Sequence, residues 1–345
     1  AARPLFERAL NISETMLGHV HPETGTSLNN LALLFRAQGD YENAKPLFER
    51  ALNISETMLG HVHPETGFRL NNLALLLRDQ GDYKAAKLLF ERALNISETA
   101  LGHDHPTTAS RLNNLALLLR DQGDYKAAKL LFERALDISE ATLGHDHPTT
   151  ASRLNNLALL LQDQGDYKAA KLLFERALNI SEATLGRNHP ATATCLNNLA
   201  SLLQDQGDYK TAKSHFERAL IISQTTLGSN HPTTGFMLND LALFLQDRGE
   251  YEAAKPLFER ALMISETALG HDHPTTASRL NNLASLLRDQ GDYKTAKPLF
   301  ERALVISETT LGHDHPNTYV VRRNQAPWVY KSFNFFSKLL DIFKG

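Results

Sequence analysis

The sequence predicts an all-α protein, a right-handed α-solenoid of stacked antiparallel helix pairs. Two series of turn residues recur with a constant period of 42, as the step from Gly39 to Gly81 illustrates. Glycine follows glutamine or arginine at Gly39, Gly81, Gly123, Gly165, Gly207, Gly249 and Gly291, and proline follows histidine at Pro22, Pro64, Pro106, Pro148, Pro190, Pro232, Pro274 and Pro316. Two turn signals in each period predict two helices in each period.

The first helix of each period, helix A, is predicted to begin at the proline. A fixed φ and a missing N–H suit the first turn of a helix. With about 100° per residue, one apolar stripe then spans about 60° of the helix surface. In the period that starts at Pro64 this stripe consists of Leu70, Leu73, Ala74 and Leu77. It is the predicted core face.

The second helix, helix B, is predicted to begin after Gly81, with Asp82 as its cap, and to end at Gly102. Its apolar positions are Tyr83, Ala86, Phe90, Ala93, Leu94 and Ile96. Small residues among them let the two helices approach closely. Since one hairpin cannot bury both of its apolar faces, neighbouring hairpins must stack.

Prolines within helix B break this pattern locally. Pro46, Pro256 and Pro298 stand where Leu88 and its equivalents stand in other periods. The ring removes one helical hydrogen bond, so we expect a mild bend or a loosened first turn.

The motifs Leu-Asn-Asn-Leu-Ala and Gln-Gly-Asp-Tyr, followed by Ala, Phe and Ala at helical spacing, resemble tetratricopeptide repeats. The Leu-Gly-x-x-His-Pro linker and the period of 42 more narrowly resemble the repeats of kinesin light chains. The resemblance covers about residues 1–318, with seven full repeats, and implies a TPR superhelix. The residues added to the common tetratricopeptide period are expected mainly in a longer helix B.

The repeats predict three segments. Residues 1–21 form a partial repeat with helix B only, residues 22–315 form seven tetratricopeptide repeats, and residues 316–345 form a degenerate half-repeat with an aromatic C-terminal helix. That last helix is expected to cap the array, and a membrane-surface or partner helix is the alternative. The start in mid-repeat suggests a fragment of a longer protein.

One side of helix A is predicted to carry a ligand. Arg78 at roughly 80° and Asn71 at roughly 100° from the core stripe face away from helix B. In a stack of this kind the A helices line the concave surface, so equivalent residues form a lane. Asparagine fills it at Asn29, Asn71, Asn113, Asn155, Asn197, Asn239 and Asn281. Its amide both donates and accepts, which suits the backbone of an extended peptide.

The resemblance to kinesin light chains implies that these asparagines clamp a cargo peptide while basic residues attract its acidic side chains. The basic residues in position are Arg36, Arg78, Arg120 and Arg288, and Gln162, Gln204 and Gln246 replace them in the middle repeats. We therefore expect an acidic peptide over the first three repeats. The alternative is that Asn72 and its equivalents bond to neighbouring helices while Asn71 and its equivalents are solvated.

The sequence does not favour a metal site or a catalytic site. His-x-His pairs such as His61 and His63 suit zinc or copper in principle, but His63 and its equivalents are better explained as residues that begin helix A. Cys195 takes the position of Arg111 without a recurrent histidine beside it. We predict no catalytic constellation, no metal and no cofactor.

The amino-acid composition disfavours some classes of binding partner. The net charge of −3 offers no basic footprint for nucleic acid or for an anionic membrane. A single cysteine and the lack of a long apolar run favour a cytoplasmic protein.

We therefore expect a scaffold or adaptor that binds extended, acidic segments of a protein partner and is not an enzyme. One alternative is the sensor arm of a larger signalling protein with a nucleotide-binding or protease domain. Another is a self-associating array, because residues 106–147 and 148–189 are almost identical and offer almost identical surfaces.

Overall fold

The computed structural model describes residues 2–325, and within that range the chain forms α-helices and no strand. The helices are α1 (Arg3–Leu17), α2 (Pro22–Ala37), α3 (Tyr41–Met58), α4 (Pro64–Asp79), α5 (Tyr83–Leu101), α6 (Pro106–Asp121), α7 (Tyr125–Leu143), α8 (Pro148–Asp163), α9 (Tyr167–Thr184), α10 (Pro190–Asp205), α11 (Tyr209–Thr226), α12 (Pro232–Asp247), α13 (Tyr251–Ala268), α14 (Pro274–Asp289) and α15 (Tyr293–Thr310). Residues 316–325 are also helical. The predicted aromatic C-terminal helix lies outside the described residues.

The helices alternate between the two predicted kinds. Even-numbered helices are A helices of 16 residues, and the B helices from α3 onward have 18 or 19 residues. Helix B is thus the longer of the pair. Helix α3 continues through Pro46 to Met58, so the internal proline does not end it.

Local side chains cap the start of most helices as predicted. Nδ1 of His63 accepts a hydrogen bond from the backbone N–H of Glu65 over 3.1 Å at the start of α4. The Asp82 carboxylate accepts one from the N–H of Ala85 over 3.1 Å at the start of α5. Each bond satisfies an N–H that the helix itself leaves unpaired. Gly81, just before that cap, has a φ of 78°, which disfavours residues with a side chain.

The described chain divides into two compact units, Ala1–Ser229 and Asn230–Gly345. In the first unit, which holds α1 to α11, each A helix packs against the B helix after it, and each B helix packs against the next A helix. The second unit repeats this order from α12 to α15. Stacked antiparallel helix pairs, the predicted fold class, are confirmed.

The core consists of the predicted positions. Ala74, Ala86 and Ala93 are completely buried, which lets paired helices approach closely. Leu70 and Phe90 are also completely buried, and Leu70 belongs to a cluster that packs against Leu52 of the preceding helix pair. This packing leaves one side of each A helix to face its neighbouring A helices and solvent.

Candidate functional site

Side-chain amides join neighbouring A helices along that side. Nδ2 of Asn72 on α4 donates a hydrogen bond to Oδ1 of Asn29 on α2 over 2.9 Å. The same bond, between residues 43 positions apart, joins the further pairs Asn114–Asn71, Asn156–Asn113, Asn198–Asn155, Asn282–Asn239 and Asn324–Asn281. In these six pairs the first asparagine of one motif is thus bonded to the second asparagine of the next repeat, whereas aspartate stands in the second position at Asp240.

Burial separates the two asparagines of each motif. The first ones are all buried, with 1% to 8% of their surface exposed. Of the second ones, Asn114, Asn156 and Asn198 are only half-buried, and Asn30 is exposed. The alternative expectation, in which Asn72 and its equivalents bond to a neighbouring helix, agrees with these bonds, but Asn71 and its equivalents are not solvated. The amides that face solvent are mainly those of the second asparagines.

The predicted basic residues are engaged in ion pairs along the same side. Arg36 pairs with Asp79 over 2.7 Å, Arg78 with Asp121 over 2.9 Å, and Arg120 with Asp163 over 2.5 Å. Arg288 lies 3.3 Å from its neighbour Asp289. Gln162 and Gln246, in the corresponding positions, donate to Asp205 and Asp289 over 2.7 Å each. The aspartates neutralise the charges of these arginines. Each guanidinium is therefore available to a ligand only while it also binds its aspartate.

Burial affects the titration of groups beside these ion pairs. It raises the pKa of the Asp121 carboxyl above its ordinary value, although the positive charge of Arg78 opposes the shift. Burial likewise raises the pKa of Tyr41 to about 12, with the charge of Asp79 adding to the effect and that of Arg36 opposing it. The phenol of Tyr41 therefore stays neutral at physiological pH.

A third set of contacts lies nearer the start of the A helices. Arg69 donates to the Thr26 hydroxyl over 3.0 Å, and Arg153 donates to the Ser110 hydroxyl over 3.0 Å. Arg69 also pairs with Glu65 over 2.6 Å. Each arginine thus finds its acceptor on the preceding A helix, 43 residues earlier.

Phe68 takes the acceptor position for Arg111, and a phenyl ring offers no hydroxyl. The guanidinium carbon of Arg111 lies 5.9 Å from the centre of the Phe68 ring, and that of Arg69 lies 5.7 Å from it. Arg111 is 8% exposed, whereas Phe68 is 39% exposed. The second unit has a related pair, in which Arg279 lies 4.9 Å from the ring of Phe236.

Cys195 replaces the arginine of this position in the fifth repeat. A cavity of about 520 Å³ opens there, between the A helices α8 and α10 and the end of α9. Its lining includes Ser152, Arg153, Asn156, Thr194 and Cys195. At the equivalent positions Arg153 and Arg69 reach a hydroxyl on the preceding A helix, which the shorter cysteine side chain does not do. The Sγ atom of Cys195 lies 3.5 Å from the Ser181 hydroxyl oxygen.

Leucines form an apolar row between the asparagines and the ion pairs. They are half-buried at Leu33, Leu75, Leu117 and Leu159 in the first unit, and serine follows at Ser201. We define the A lane as the side of the A helices that consists of Phe68, Asn72, Leu75 and Arg78 in the second repeat and of their equivalents in the other repeats. It combines apolar side chains with amides and ion pairs, a composition typical of surfaces that bind peptides.

The histidine pairs of the linkers have partners outside the A lane. His63 caps α4, and His61 lies 3.5 Å from Glu56. Arg92 on α5 pairs with the same glutamate over 2.6 Å and contacts Nδ1 of His61 over 3.1 Å. This cluster recurs at most linkers and ties one B helix to the next.

Sequence reasoning did not assign Phe68 and Arg111 to the site. The sequence pattern that identifies these two residues is a serine or threonine on one A helix that lies 43 residues before an arginine on the next. Phenylalanine replaces that hydroxyl only at Phe68 and Phe236.

Within residues 2–325, no helix is both long enough and apolar enough to cross a lipid bilayer.

A family model for the tetratricopeptide repeat matches almost the entire chain. The matches cover residues 1–57, 28–99, 68–141, 112–183, 154–225, 196–243, 233–308 and 280–334. A search of curated proteins found no match.

Several solved structures are similar to this chain. BtubC (BKLC) from P. vanneervenii is 22% identical with a TM-score of 0.51, covering 69% of this chain and 93% of that one. Aspartyl phosphate phosphatase F from Bacillus subtilis is 15% identical with a TM-score of 0.60, covering 88% and 75%. A kinesin light chain-like protein from Podosopora anserina has TPR-like repeats that are nearly identical to one another. It is 27% identical to this chain with a TM-score of 0.48, covering 60% of this chain and 98% of that one. The first two likenesses concern the fold alone.

Proposed function

Because the chain belongs to the tetratricopeptide repeat family, whose repeats typically serve as protein-interaction scaffolds, we propose that it binds extended, acidic peptide segments of a protein partner along the A lane and catalyses no reaction. The predicted asparagines and arginines take part mainly by shaping this surface, and the more exposed second asparagines contact the ligand. The cavity beside Cys195 receives one of the ligand's side chains.

One observation carries this proposal. Four consecutive A helices of the first unit present leucines that are only half-buried, namely Leu33, Leu75, Leu117 and Leu159. Half-buried amides lie beside the row at Asn114 and Asn156. An extended peptide alternates its side chains and exposes its backbone amides, so it matches an apolar row bordered by amides.

The acidic preference rests on arginines rather than on the net charge. Arg36, Arg78 and Arg120 are 24% to 26% exposed at their side chains, although each is paired with an aspartate. Arg111 adds a positive charge that has no acidic partner among the described residues. The first three repeats are therefore the part of the A lane that favours acidic side chains.

A peptide array tests this function. Extended peptides with aspartate or glutamate at alternate positions are immobilised next to matched peptides with asparagine or glutamine. We expect the full chain to retain the acidic peptides preferentially, with affinity that falls as salt rises. Equal retention of both sets would contradict the acidic preference, and retention of neither would contradict peptide binding.

Self-association is a second candidate function. Leu88, Leu130 and Leu172 occupy equivalent positions on three consecutive B helices and are 62% or 63% exposed. Such a row is an unusual apolar surface for a monomer, and a second copy of the chain offers a matching one. Sedimentation at increasing concentration distinguishes the two candidates, since replacement of these leucines by serine removes only the self-association.

A further inference from the structure

Arg111 is a buried cation without a compensating partner. Its side chain makes no hydrogen bond or ion pair with any other described residue, whereas Arg69 and Arg153, whose Nε atoms are likewise buried without an acceptor, bind through a terminal nitrogen. The guanidinium instead lies against the ring of Phe68, at 5.9 Å. A buried charge that lacks both an acceptor and an opposite charge is costly in a folded protein, so this arrangement points to a partner that arrives from outside.

The equivalent arginines show what is missing. Arg69 has the carboxylate of Glu65 at 2.6 Å and the hydroxyl of Thr26 at 3.0 Å. Arg153 has the hydroxyl of Ser110 at 3.0 Å. Only at Arg111 does the preceding A helix of the first unit offer an aromatic ring instead of a hydroxyl. Burial lowers the pKa of the Arg111 guanidinium to about 10, with no nearby acid to oppose the shift.

The neighbourhood of Phe68 carries one positive charge in excess. Its ring lies beside both Arg69 and Arg111, and the charge of Arg69 is balanced by Glu65. A single additional negative charge therefore neutralises the site. In the second unit the negative charge of Asp240 already acts on Arg279, so the related pair with Phe236 does not lack an acid in the same way.

We propose that Arg111 and Phe68 form a carboxylate-binding site in the A lane, which takes an aspartate or glutamate side chain of the bound peptide. The planar guanidinium forms two parallel hydrogen bonds with a carboxylate, and a monoanion matches the excess charge. The exposed ring of Phe68 packs against an apolar side chain next to that acid. This site deepens the proposed function and rests on it, because it assigns the acidic preference to one residue of the second repeat and one of the third.

The test uses two capped dipeptides, acetyl-Glu-Phe-amide and its isosteric control acetyl-Gln-Phe-amide. The full chain, labelled with ¹⁵N at arginine, is titrated with each while the Nε–H signals are followed by NMR. We expect the glutamate probe to shift the Arg111 signal and to bind about tenfold or more tightly than the glutamine probe. Equal binding of the two probes would overturn the proposal.

Three variants locate the site, each checked for folding by circular dichroism. Arg111→Gln should abolish the preference for the glutamate probe. Phe68→Ser should weaken it, because the new hydroxyl takes up the guanidinium as Ser110 does for Arg153. Arg134→Gln, on a B helix of the same repeat, should leave it unchanged. A loss in Arg134→Gln as large as that in Arg111→Gln would show only a general effect of charge and would overturn the site.

The failure of this site and the failure of the proposed function give different results. If longer acidic peptides still bind the A lane of Arg111→Gln with unchanged affinity, the function stands and the carboxylate site is wrong. If the glutamate dipeptide binds at Arg111 while no extended peptide binds the A lane, the site stands and the proposed function is wrong.

Discussion

Asn72 donates a hydrogen bond from its side-chain amide to that of Asn29 over 2.9 Å, although the two residues lie 43 positions apart. The bond joins two A helices directly, without a B helix between them. Its repetition in both units holds successive A helices in the same register, because a shift along one helix axis would separate donor from acceptor. The A lane is therefore supported by amide pairs that are mostly withdrawn from solvent.

Replacement of Asn114 by alanine should destabilise the chain. The substitution removes the donor that serves buried Asn71, so a buried carbonyl oxygen loses its partner at a cost of about 1 to 3 kcal/mol. Asn30→Ala is the matched control, because Asn30 is exposed and makes no such bond. Urea unfolding measures both variants. Equal losses in the two would argue against the amide pairs as the source of stability.

Replacement of Arg111 by methionine should stabilise the chain by about 1 kcal/mol or more at neutral pH, because it removes an uncompensated buried charge. Burial lowers the pKa of this guanidinium from its ordinary value to about 10, so the unfolded chain binds the proton more tightly than the folded chain. The cost of the charge is therefore present in full below about pH 10 and shrinks as the pH rises towards 12.

Chemical unfolding of Arg111→Met at neutral pH and again near pH 10.5 measures this effect. The gain over the parent chain should be smaller at the higher pH. Arg69→Met is the control, and it should lose stability, since Glu65 and Thr26 lose their partner. A destabilised Arg111→Met would mean that its guanidinium is compensated within the fold.

The thiol of Cys195 should react slowly with disulfide reagents. Burial raises its pKa, and the hydrogen bond with Ser181 opposes this only in part. Since the thiolate is the reactive form, the fraction available at mild alkaline pH falls below that of an exposed cysteine. The rate with Ellman's reagent should increase about tenfold or more in urea. A native rate equal to that of glutathione would contradict the buried position.

Substitution of Glu250 by aspartate should strengthen the start of α13. Glu250 makes no capping bond with its side chain, whereas Asp124 accepts one from the N–H of Ala127 over 3.2 Å at the start of α7. Glu250→Asp should gain about 0.5 to 1 kcal/mol, and Asp124→Ala should lose about 1 kcal/mol. Thermal unfolding followed by circular dichroism tests both, and a loss in Glu250→Asp would refute the capping argument.

The fold could be predicted from the sequence because each helix boundary depends on local chemistry. His63, Pro64 and Asp82 act within a few residues of their own positions, and the apolar stripe around Leu70 follows from helical phase alone. Because the sequence repeats with a period of 42 residues, the same local interactions recur in each repeat. A helix boundary predicted in one repeat is therefore checked by the corresponding boundary in the next.

The candidate site could be predicted only in part. The helical periodicity correctly predicts that Asn71 points away from helix B. It predicts only this direction, and not how close Asn71 lies to the neighbouring A helix. Asn71 lies at the boundary between two A helices, where it is buried and bonded, while Leu75 is one of the residues that stay accessible. The excess charge at Arg111 and the cavity beside Cys195 depend on side chains of adjacent repeats.

Two triple variants of the full chain test whether peptides bind along the A lane. In one, the A-lane residues Leu75, Leu117 and Leu159 become serine, the residue found in the same position at Ser201. In the other, the B-helix residues Leu88, Leu130 and Leu172 become serine, the residue found in the same position at Ser214. Serine at each position is thus already compatible with the repeat.

The measurement is the affinity of each triple variant for an acidic peptide that the parent chain retains on the array. We predict that the A-lane variant binds about tenfold or more weakly, because it loses an apolar row, while the B-helix variant binds like the parent. Loss of binding in the B-helix variant with full binding in the A-lane variant would contradict peptide binding along the A lane.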